Sequence, residues 1–286
     1  MTTKFLRIAF FIVFLSFSLS NAQINLGERA LGALQKGVAG FTFSDEQAAQ
    51  LSKEAVVKMD AANVIATATN PYAIRLNRIF GKHANTNGVN FNYKVYVLKE
   101  VNAFATADGS VRVYSGLMDI MDDNELLVVI GHEIGHVINS DSRDAIKAAY
   151  QKEALLEGLA SQSTKIAVLT DGQLGKIGSA MIDSKHSRKQ ESEADTFAYD
   201  FMKNNGYDVN AVESAFNILA KMSNGAQSDF LSRMMSSHPD PKSRAENAKA
   251  RAQKEGLYKL YVQKMPVVAK PKATPAKKPT KKPIKK

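Results

Sequence analysis

The chain has 286 residues and no cysteine, which excludes disulfide bonds and thiolate metal ligands. Its formal net charge of +10 comes from the two ends, because residues 23–269 balance 28 basic against 28 acidic residues. The central region therefore carries no net positive charge suited to nucleic acid, and we expect no nucleic-acid partner.

The first 22 residues have the pattern of a secretory signal peptide. Lys4 and Arg7 form a positive region, residues 8–19 are largely apolar, and Ser20–Ala22 offers small residues for cleavage before Gln23. Such a run is too short to span a bilayer comfortably, although an uncleaved anchor is the alternative. Lipid attachment at an N-terminal cysteine is excluded. We expect an exported protein, periplasmic or envelope-associated, that is soluble after cleavage.

Residues 23–265 are predicted to form one α+β domain, mostly helical, with a small antiparallel sheet beside the helix that contains residues 131–136. Ser44–Gln47 is a capping-box start for a helix that runs to about Ala61, and Asn70-Pro71 starts another. Tyr93–Leu98, Asn102–Ala105 and Val111–Tyr114 are rich in strand-forming residues, and the last two are joined by a turn sequence. The chain after Gly116 is predicted to be helical.

Residues 131–136, Gly-His-Glu-Ile-Gly-His, carry the strongest functional signal. On a helix, His132 and His136 project from one face, one turn apart, as two nitrogen ligands of one Zn²⁺ require. Glu133 can act as general base on a water at the metal. Asp122 and Glu125 fit a capping-box start for this helix, and the apolar run around the motif predicts a buried helix whose polar side chains need partners. Two core histidines bonded to backbone carbonyls are the alternative.

A catalytic zinc site needs a third protein ligand, for which several candidates remain. Ser142 stands where a third histidine of an extended motif would be, so that arrangement is excluded. The candidates are three histidines (His83, His186 and His238) and the downstream carboxylates. Glu191 and Asp195 are four residues apart on a predicted amphipathic helix and can both turn inward. The alternative for this acidic cluster is a solvated helix face.

Four ordered motifs, spread over about residues 45–250, resemble the zinc metallopeptidases related to HtpX and the CAAX prenyl protease. They are His132–His136, Glu191–Asp195, the strand pair within Asn102–Leu117, and Ser237–Pro239 with Arg244. HtpX and the prenyl protease are embedded in membranes, but no later run here reaches about 18 apolar residues. The chain therefore resembles the exported, soluble bacterial branch.

The resemblance implies roles for individual residues. Glu191 is the third zinc ligand, and Asp195 accepts a hydrogen bond from a ligand histidine, His132. His238 and Arg244 lie near the substrate and the developing oxyanion.

Three histidines outside the zinc motif have competing interpretations. His238 can donate to the oxyanion, can occupy the open zinc position and hold the enzyme latent, or can be an ordinary loop residue beside Pro239. The donor role is favoured, because closing the site requires an added loop motion. His83 lies in a turn-rich sequence and is predicted to be solvated. His186 is a reserve ligand.

Residues 266–286 are predicted to be a disordered basic tail. From Lys270 onward the chain has eight lysines, four prolines and no acid, so it cannot bury a core. Anionic envelope polymers or a membrane surface are the expected partners, and a solvated chain end is the alternative.

The combined prediction is a zinc metalloendopeptidase with one Zn²⁺ per chain that cleaves unfolded or misfolded envelope proteins. The strand edge formed by Asn102, Ala103, Phe104 and Ala105 is expected to hold an extended peptide by β-augmentation. The alternative function is a non-proteolytic chaperone-like or binding protein whose structural zinc is closed by a fourth ligand, His238. Glu133 argues against it, because a structural site has no use for a general base.

Overall fold

A computed structural model of the chain describes residues 44–156, 169–225 and 237–266. The predicted signal segment lies outside these ranges, as does the predicted tail after residue 266. The described residues group into two compact units. One unit contains residues 44–59, 106–108, 140–156 and 169–184, and the other contains residues 60–105, 109–139, 185–225 and 237–266. The predicted α+β class is confirmed.

The described helices are α1 (Asp45–Ala62), α2 (Pro71–Phe80), α3 (Ser115–Met118), α4 (Asp123–Ile138), α5 (Asp141–Leu156), α6 (Asp171–Ile182), α7 (Arg188–Asn204), α8 (Ala211–Gly225) and α9 (Pro241–Lys254). The strands are β1 (Asn85–Thr86), β2 (Val89–Asn90), β3 (Asn92–Tyr96), β4 (Ala103–Ala105) and β5 (Ser110–Tyr114), with a 3₁₀ turn at Gly81–His83. Within the described ranges, no helix is long and apolar enough to cross a membrane.

The unit that contains α5 and α6 has its own apolar core. Buried side chains from α1, α5 and α6 form this core: Ala48, Leu51, Ile146, Ala149, Tyr150, Leu174, Ile177 and Met181. Helix α6 begins with a capping box, in which Thr170 and Gln173 each accept a hydrogen bond from the backbone of the other.

The other unit contains a three-stranded sheet in the order β3-β5-β4. Strands β4 and β5 form the predicted antiparallel pair, with Ala103 opposite Val113. Strand β3 pairs with β5 in parallel, with Tyr93 opposite Val111, so the sheet is mixed. Strand propensity in the sequence identified all three strands, but propensity does not determine the direction in which two strands pair.

Gly116 fixes the chain between β3 and β4 against the end of β5. A Cβ atom at this position would lie 2.2 Å from the Lys99 carbonyl oxygen, so only glycine fits. Its N–H donates to the Leu98 carbonyl oxygen at 2.8 Å, and the Ser115 hydroxyl donates to the same oxygen at 2.7 Å. This close contact holds the segment that leads into β4.

Helix α4, which carries the zinc motif, is buried along most of its length. Leu126, Val128 and Ile130 are fully buried, as the apolar run predicts. The predicted capping box is present. The Asp122 side chain accepts from the Glu125 N–H at 3.0 Å, and the Glu125 side chain accepts from the Asp122 N–H at 2.9 Å. The sequence therefore determines where this helix begins.

Helices α4 and α7 pack closely because glycine faces alanine between them. A Cβ atom on Gly131 would lie 3.4 Å from Ala198 Cα, and one on Gly135 would lie 3.3 Å from Ala194 Cα. Both alanines are fully buried. This approach brings the first turn of α7, with Glu191, next to the histidines of α4.

Asp60, in the last turn of α1, connects that turn to the sheet through a charged network. Its carboxylate accepts hydrogen bonds from Arg112 at 2.8 and 2.9 Å, from Lys94 at 2.8 Å and from the Tyr96 hydroxyl at 2.7 Å. The Arg112 side chain is only 2% exposed. Burial alone would raise the pKa of Asp60, but the bonds from Arg112, Lys94 and Tyr96 outweigh it and lower the pKa to about 2.

We predict that Asp60→Asn lowers the free energy of unfolding by about 3 kcal/mol at pH 7, because a buried arginine loses its counterion. The lowered pKa stabilises the fold fully above the ordinary aspartate pKa of about 4 and progressively less as pH falls toward 2. Urea unfolding at pH 7, 4 and 3 should therefore show the two proteins converging at low pH. Glu193→Gln, at a surface ion pair, serves as the control and should change stability by less than about 0.5 kcal/mol. An equal loss at every pH would contradict the assignment.

Candidate metal centre

Four side chains of one compact unit converge on a single point. They are His132 and His136 of α4, Glu191 of α7, and His238 in the turn before α9. One nitrogen or oxygen atom of each residue lies within 4.8 Å of the corresponding atom of every other. The two motif histidines and Glu191 are buried, and His238 is partly buried. Among the described residues, this is the one group of potential metal ligands that contains both motif histidines together with Glu191 of α7.

The spacing of the ligand atoms fits a zinc ion. The Nε2 atoms of His132 and His136 are 3.1 Å apart. The two Glu191 carboxylate oxygens are each 3.5 Å from one of these nitrogens. Ligands that bind a tetrahedral zinc at about 2.0–2.1 Å stand about 3.4 Å from one another. Two imidazoles and one carboxylate are also a known donor set of catalytic zinc sites.

Glu191 has an unsatisfied oxygen that points to the same conclusion. Its Oε2 atom is buried and accepts no hydrogen bond within the described part of the chain. Arg244 Nη1 lies 3.0 Å away, but not in a hydrogen-bonding direction. Burial alone would raise the pKa of Glu191, yet hydrogen bonds from His136 and His238 hold it well below its usual range. An ionised, buried carboxylate with a spare oxygen suits a cation.

Asp195 orients His132 from behind the centre. Asp195 Oδ1 lies 2.9 Å from His132 Nδ1, which leaves Nε2 directed toward Glu191. Burial and the charge of Arg244 lower the pKa of His132 to about 3, so its ring is neutral, the form that binds metals. A carboxylate that accepts from the far nitrogen fixes the tautomer and raises the basicity of a ligand histidine.

Arg244 links the two carboxylates. Its Nη2 and Nε atoms donate to Asp195 at 2.6 and 2.9 Å. Nη2 also lies 2.9 Å from His132 Nδ1, but that nitrogen cannot both donate to Asp195 and accept from Arg244. We assign the His132 proton to the Asp195 bond, because a bond to a carboxylate is the stronger of the two. Below the guanidinium, the Phe216 ring centre is 4.1 Å from Cζ.

Glu133 stands beside the cluster without belonging to it. Its side chain is 9% exposed, and its Oε1 atom is 3.7 Å from His238 Nε2. Burial raises the pKa of this carboxyl group, in contrast to Glu191. Glu133 lies next to the candidate metal ligands but is not one of them. With its raised pKa, such a carboxyl group is suited to accept and return a proton.

His238 lies within hydrogen-bonding distance of two of the candidate metal ligands, so it is not an ordinary solvated loop residue. Its Nδ1 atom is 2.9 Å from Glu191 Oε1 and 3.2 Å from His132 Nε2. These distances match those among the three other candidate ligands. His238 could therefore occupy a fourth metal position.

The two remaining candidate histidines have different fates. The prediction that His83 is solvated is wrong, because His83 is buried and its Nε2 atom is 2.7 Å from the Tyr207 hydroxyl. Its ring centre also lies 4.7 Å from that of Phe201. His186 does reach the centre, where its ring stacks on His136 with centroids 3.9 Å apart and planes inclined by 13°. It contacts a ligand candidate instead of replacing one.

Phe216 is the site residue that the sequence did not reveal. It is buried on α8, packs under Arg244, and lies edge-on to His132 with ring centres 6.3 Å apart. In the sequence, Phe216 belongs to an ordinary apolar helix stripe. Such a stripe predicts a core position and gives no information about which charged groups lie on it.

Strand β4 presents a backbone edge near Glu133. It is the end strand of the sheet order, and the Tyr114 N–H donates to the Asn102 carbonyl oxygen at 2.9 Å. Because bonding alternates along an antiparallel pair, the backbone polar groups of Ala103 point away from β5, where its N–H donates to the Asn102 side-chain oxygen at 2.9 Å. A cavity of about 30 Å³ is bordered by Asn102, Ala103, His132, Glu133, Phe216 and His238, among others.

Comparison with known families agrees with this geometry. Residues 70–252 match the model of peptidase family M48, a range that contains every member of the cluster. A match over more than half of the chain shows that the protein belongs to peptidase family M48. The predicted resemblance and the predicted enzyme class, a metalloendopeptidase, are thereby confirmed.

Three relatives illustrate the range of similarity. Metalloprotease LoiP of Escherichia coli is 39% identical over 230 residues, which cover 79% of this chain and 90% of LoiP. Protease HtpX of Xanthomonas euvesicatoria is 32% identical over 177 residues, or 60% of this chain and 53% of HtpX. The β-barrel assembly-enhancing protease of Escherichia coli is 29% identical over 181 residues, or 59% of this chain and 36% of the relative.

We predict that Glu191→Ala abolishes stoichiometric zinc binding, because it removes one of three ligands. Glu193→Ala is the matched control, since Glu193 is 48% exposed and its carboxylate lies 3.6 Å from the Lys189 ammonium at the surface. Zinc content after dialysis, with helicity checked by circular dichroism, distinguishes the two variants. Zinc loss in the Glu193 variant alone would move the ligand assignment by two residues.

Asp195→Ala should weaken zinc binding less than Glu191→Ala does and more than Glu193→Ala does. Loss of a partner that orients a ligand histidine typically lowers metal affinity or activity by about 10–100-fold. A competition titration with a zinc chelator measures this affinity. An affinity equal to that of the unaltered protein would remove Asp195 from its assigned position.

Proposed function

We propose that this protein is a zinc metalloendopeptidase that hydrolyses unfolded or misfolded polypeptides of the cell envelope. One zinc ion per chain is held by His132, His136 and Glu191. The observation that carries this proposal is the position of Glu133, which lies beside three mutually compatible ligands without being one of them. The metalloprotease names of relatives such as LoiP support the same chemistry.

The residues around the centre divide the reaction between them. A bound zinc supplies Lewis-acid activation of water and of the scissile carbonyl group. Glu133 removes a proton from the attacking water and passes it to the leaving amine, a sequence for which a raised pKa is suited. Asp195 keeps His132 in one tautomer throughout.

Arg244 acts by positioning the two carboxylates. The sequence-based expectation placed it near the oxyanion. In the structure its donors are directed at Asp195, and its remaining nitrogen lies 3.0 Å from Glu191. A guanidinium engaged in this way supports the geometry of the ligands, so we assign Arg244 to that role.

The edge of β4 is proposed to bind the substrate as an added strand. The Ala103 carbonyl group, which points away from β5, suits pairing with an extended peptide, which would pass the cavity next to Glu133. Asn102 and Phe104 fix the strand from the β5 side. Strand addition requires an extended segment, and folded proteins seldom offer one. This requirement favours unfolded substrates.

Export to the periplasm or envelope is the proposed location. It rests on the signal-peptide pattern of the first 22 residues. It is supported by the name of one relative, the β-barrel assembly-enhancing protease. The choice of misfolded envelope proteins as substrates rests on the same two observations.

The central test replaces the base. Because Glu133 is not a ligand in this proposal, Glu133→Gln should retain one zinc per chain and lose at least about 100-fold in turnover of unfolded casein. Zinc content and casein hydrolysis are measured on the same purified protein. Near-normal hydrolysis by the variant would overturn the mechanism, whereas zinc loss would make Glu133 a ligand.

His238 decides whether the described site is open or closed. The sequence favoured an oxyanion donor, but the distances of Nδ1 to His132 and Glu191 favour occupation of the fourth metal position. A closed four-ligand site is also what the non-catalytic alternative requires. In an enzyme, the turn that carries His238 must then move before substrate binds.

We therefore predict that His238→Ala keeps its zinc and raises casein hydrolysis severalfold, since removing a competing state increases the active fraction. Lys242→Ala, an exposed change at the start of α9, is the control and should have no effect. A loss of about 100-fold or more with zinc retained would instead establish the donor role. Unchanged activity would exclude both roles.

A further inference from the structure

Beyond α9 the chain continues as an extended segment, residues 257–266, which we call the strap. It follows Gly256, whose φ of 69° turns the chain out of the helix. The strap lies outside residues 70–252, so the match to family M48 assigns it no role.

One side of the strap is bonded to the start of the zinc-motif helix. The Tyr261 hydroxyl and the Lys264 N–H both donate to Asp122 Oδ2, at 2.7 and 2.8 Å. The Gln263 side chain donates to Glu125 Oε2 at 2.5 Å. Asp122 and Glu125 are the capping box of α4, so the strap has a defined orientation on this unit.

The other side of the strap presents apolar side chains to solvent. Leu260 is 81% exposed and Val262 is 66% exposed, and Met265, near the end of the strap, is 41% exposed. Side chains alternate along an extended chain, so the inward contact of Tyr261 turns Leu260 and Val262 outward. A run of exposed apolar residues on one ordered segment indicates an interaction surface, unlike single exposed residues scattered over a protein.

Positive charge accompanies these apolar residues. Lys264 lies on the strap, and residues 270–286 add eight lysines and no acid. Neighbouring acids are already paired, because Asp208 lies 3.1 Å from the Lys259 ammonium and Asp123 lies 2.8 Å from an arginine of α2. The exposed apolar side chains of the strap are therefore followed in the sequence by a large excess of positive charge.

We propose that the strap and the lysine-rich residues after it bind the surface of an anionic lipid bilayer. Leu260 and Val262 enter the boundary between headgroups and acyl chains, and the lysines contact anionic headgroups. A soluble anionic polymer would engage the lysines but leave the apolar side chains in water, so the bilayer accounts for both features. The capping-box contacts then hold the start of α4 close to the membrane.

The absence of cysteine allows a site-specific test on the full-length chain. Val262→Cys and Val64→Cys are each labelled with an environment-sensitive fluorophore. The two positions are a matched pair, since Val262 is 66% and Val64 is 67% exposed. With vesicles of phosphatidylcholine and phosphatidylglycerol, emission from the label at 262 should rise at least about twofold and be quenched by lipid-borne nitroxides. The label at 64 should show neither effect.

The charge requirement is tested separately by replacing the eight lysines of residues 270–286 with glutamine. Binding to the anionic vesicles, read from the label at 262, should fall at least about tenfold, and vesicles of phosphatidylcholine alone should give no signal. Vesicle-bound protein whose label at 262 stays in water would overturn the proposal, because another part of the chain then holds the bilayer. Equally tight binding to soluble polyglutamate, or protection of the label by a second copy without vesicles, would also overturn it.

Discussion

The close packing of α4 against α7 is the constraint on which the metal centre depends. Gly131 and Gly135 alternate with the two motif histidines, and they face Ala198 and Ala194 across the interface. Larger side chains at these glycines would separate the helix axes. Separation would carry Glu191 away from the histidine nitrogens, which it now approaches at 3.5 Å. The glycines of the motif therefore serve the same centre as its histidines, through packing instead of coordination.

Acidic side chains outnumber basic ones around the centre, which suits a bound cation. Glu133, Glu191 and Asp195 are three largely buried acids, while Arg244 is the guanidinium that contacts two of them. Burying unpaired carboxylates is costly, and His132 is held neutral by its surroundings. The raised pKa of Glu133 and the lowered pKa of Glu191 divide these acids into a proton carrier and a permanent anion. This division is the one that water activation at a metal requires.

The two ends of α4 have separate tasks. Its C-terminal half carries the candidate ligands and the base, whereas its N-terminal turn is fixed by the Asp122–Glu125 capping box and by the strap. The strap reaches this turn from beyond the region shared with family M48. A helix held at its start by capping and along its face by α7 has little freedom to displace His132. The ligands His132, His136 and Glu191 thus lie on two helices that pack directly against each other, whereas His238 lies in the turn before α9.

The sequence by itself determined the features that depend on local periodicity. Helical spacing defined His132, Glu133 and His136, the Asp122 cap defined the start of α4, and the four-residue spacing of Glu191 and Asp195 placed them on one helix. Backbone geometry fixes each of these relations within a few residues. Tertiary structure decided the rest: the parallel pairing of β3, the burial of His83 against Phe201 and Tyr207, the placement of Phe216 under Arg244, and the stacking of His186 on His136. These contacts join residues far apart in the chain, and their partners are chosen by packing, which no local pattern encodes.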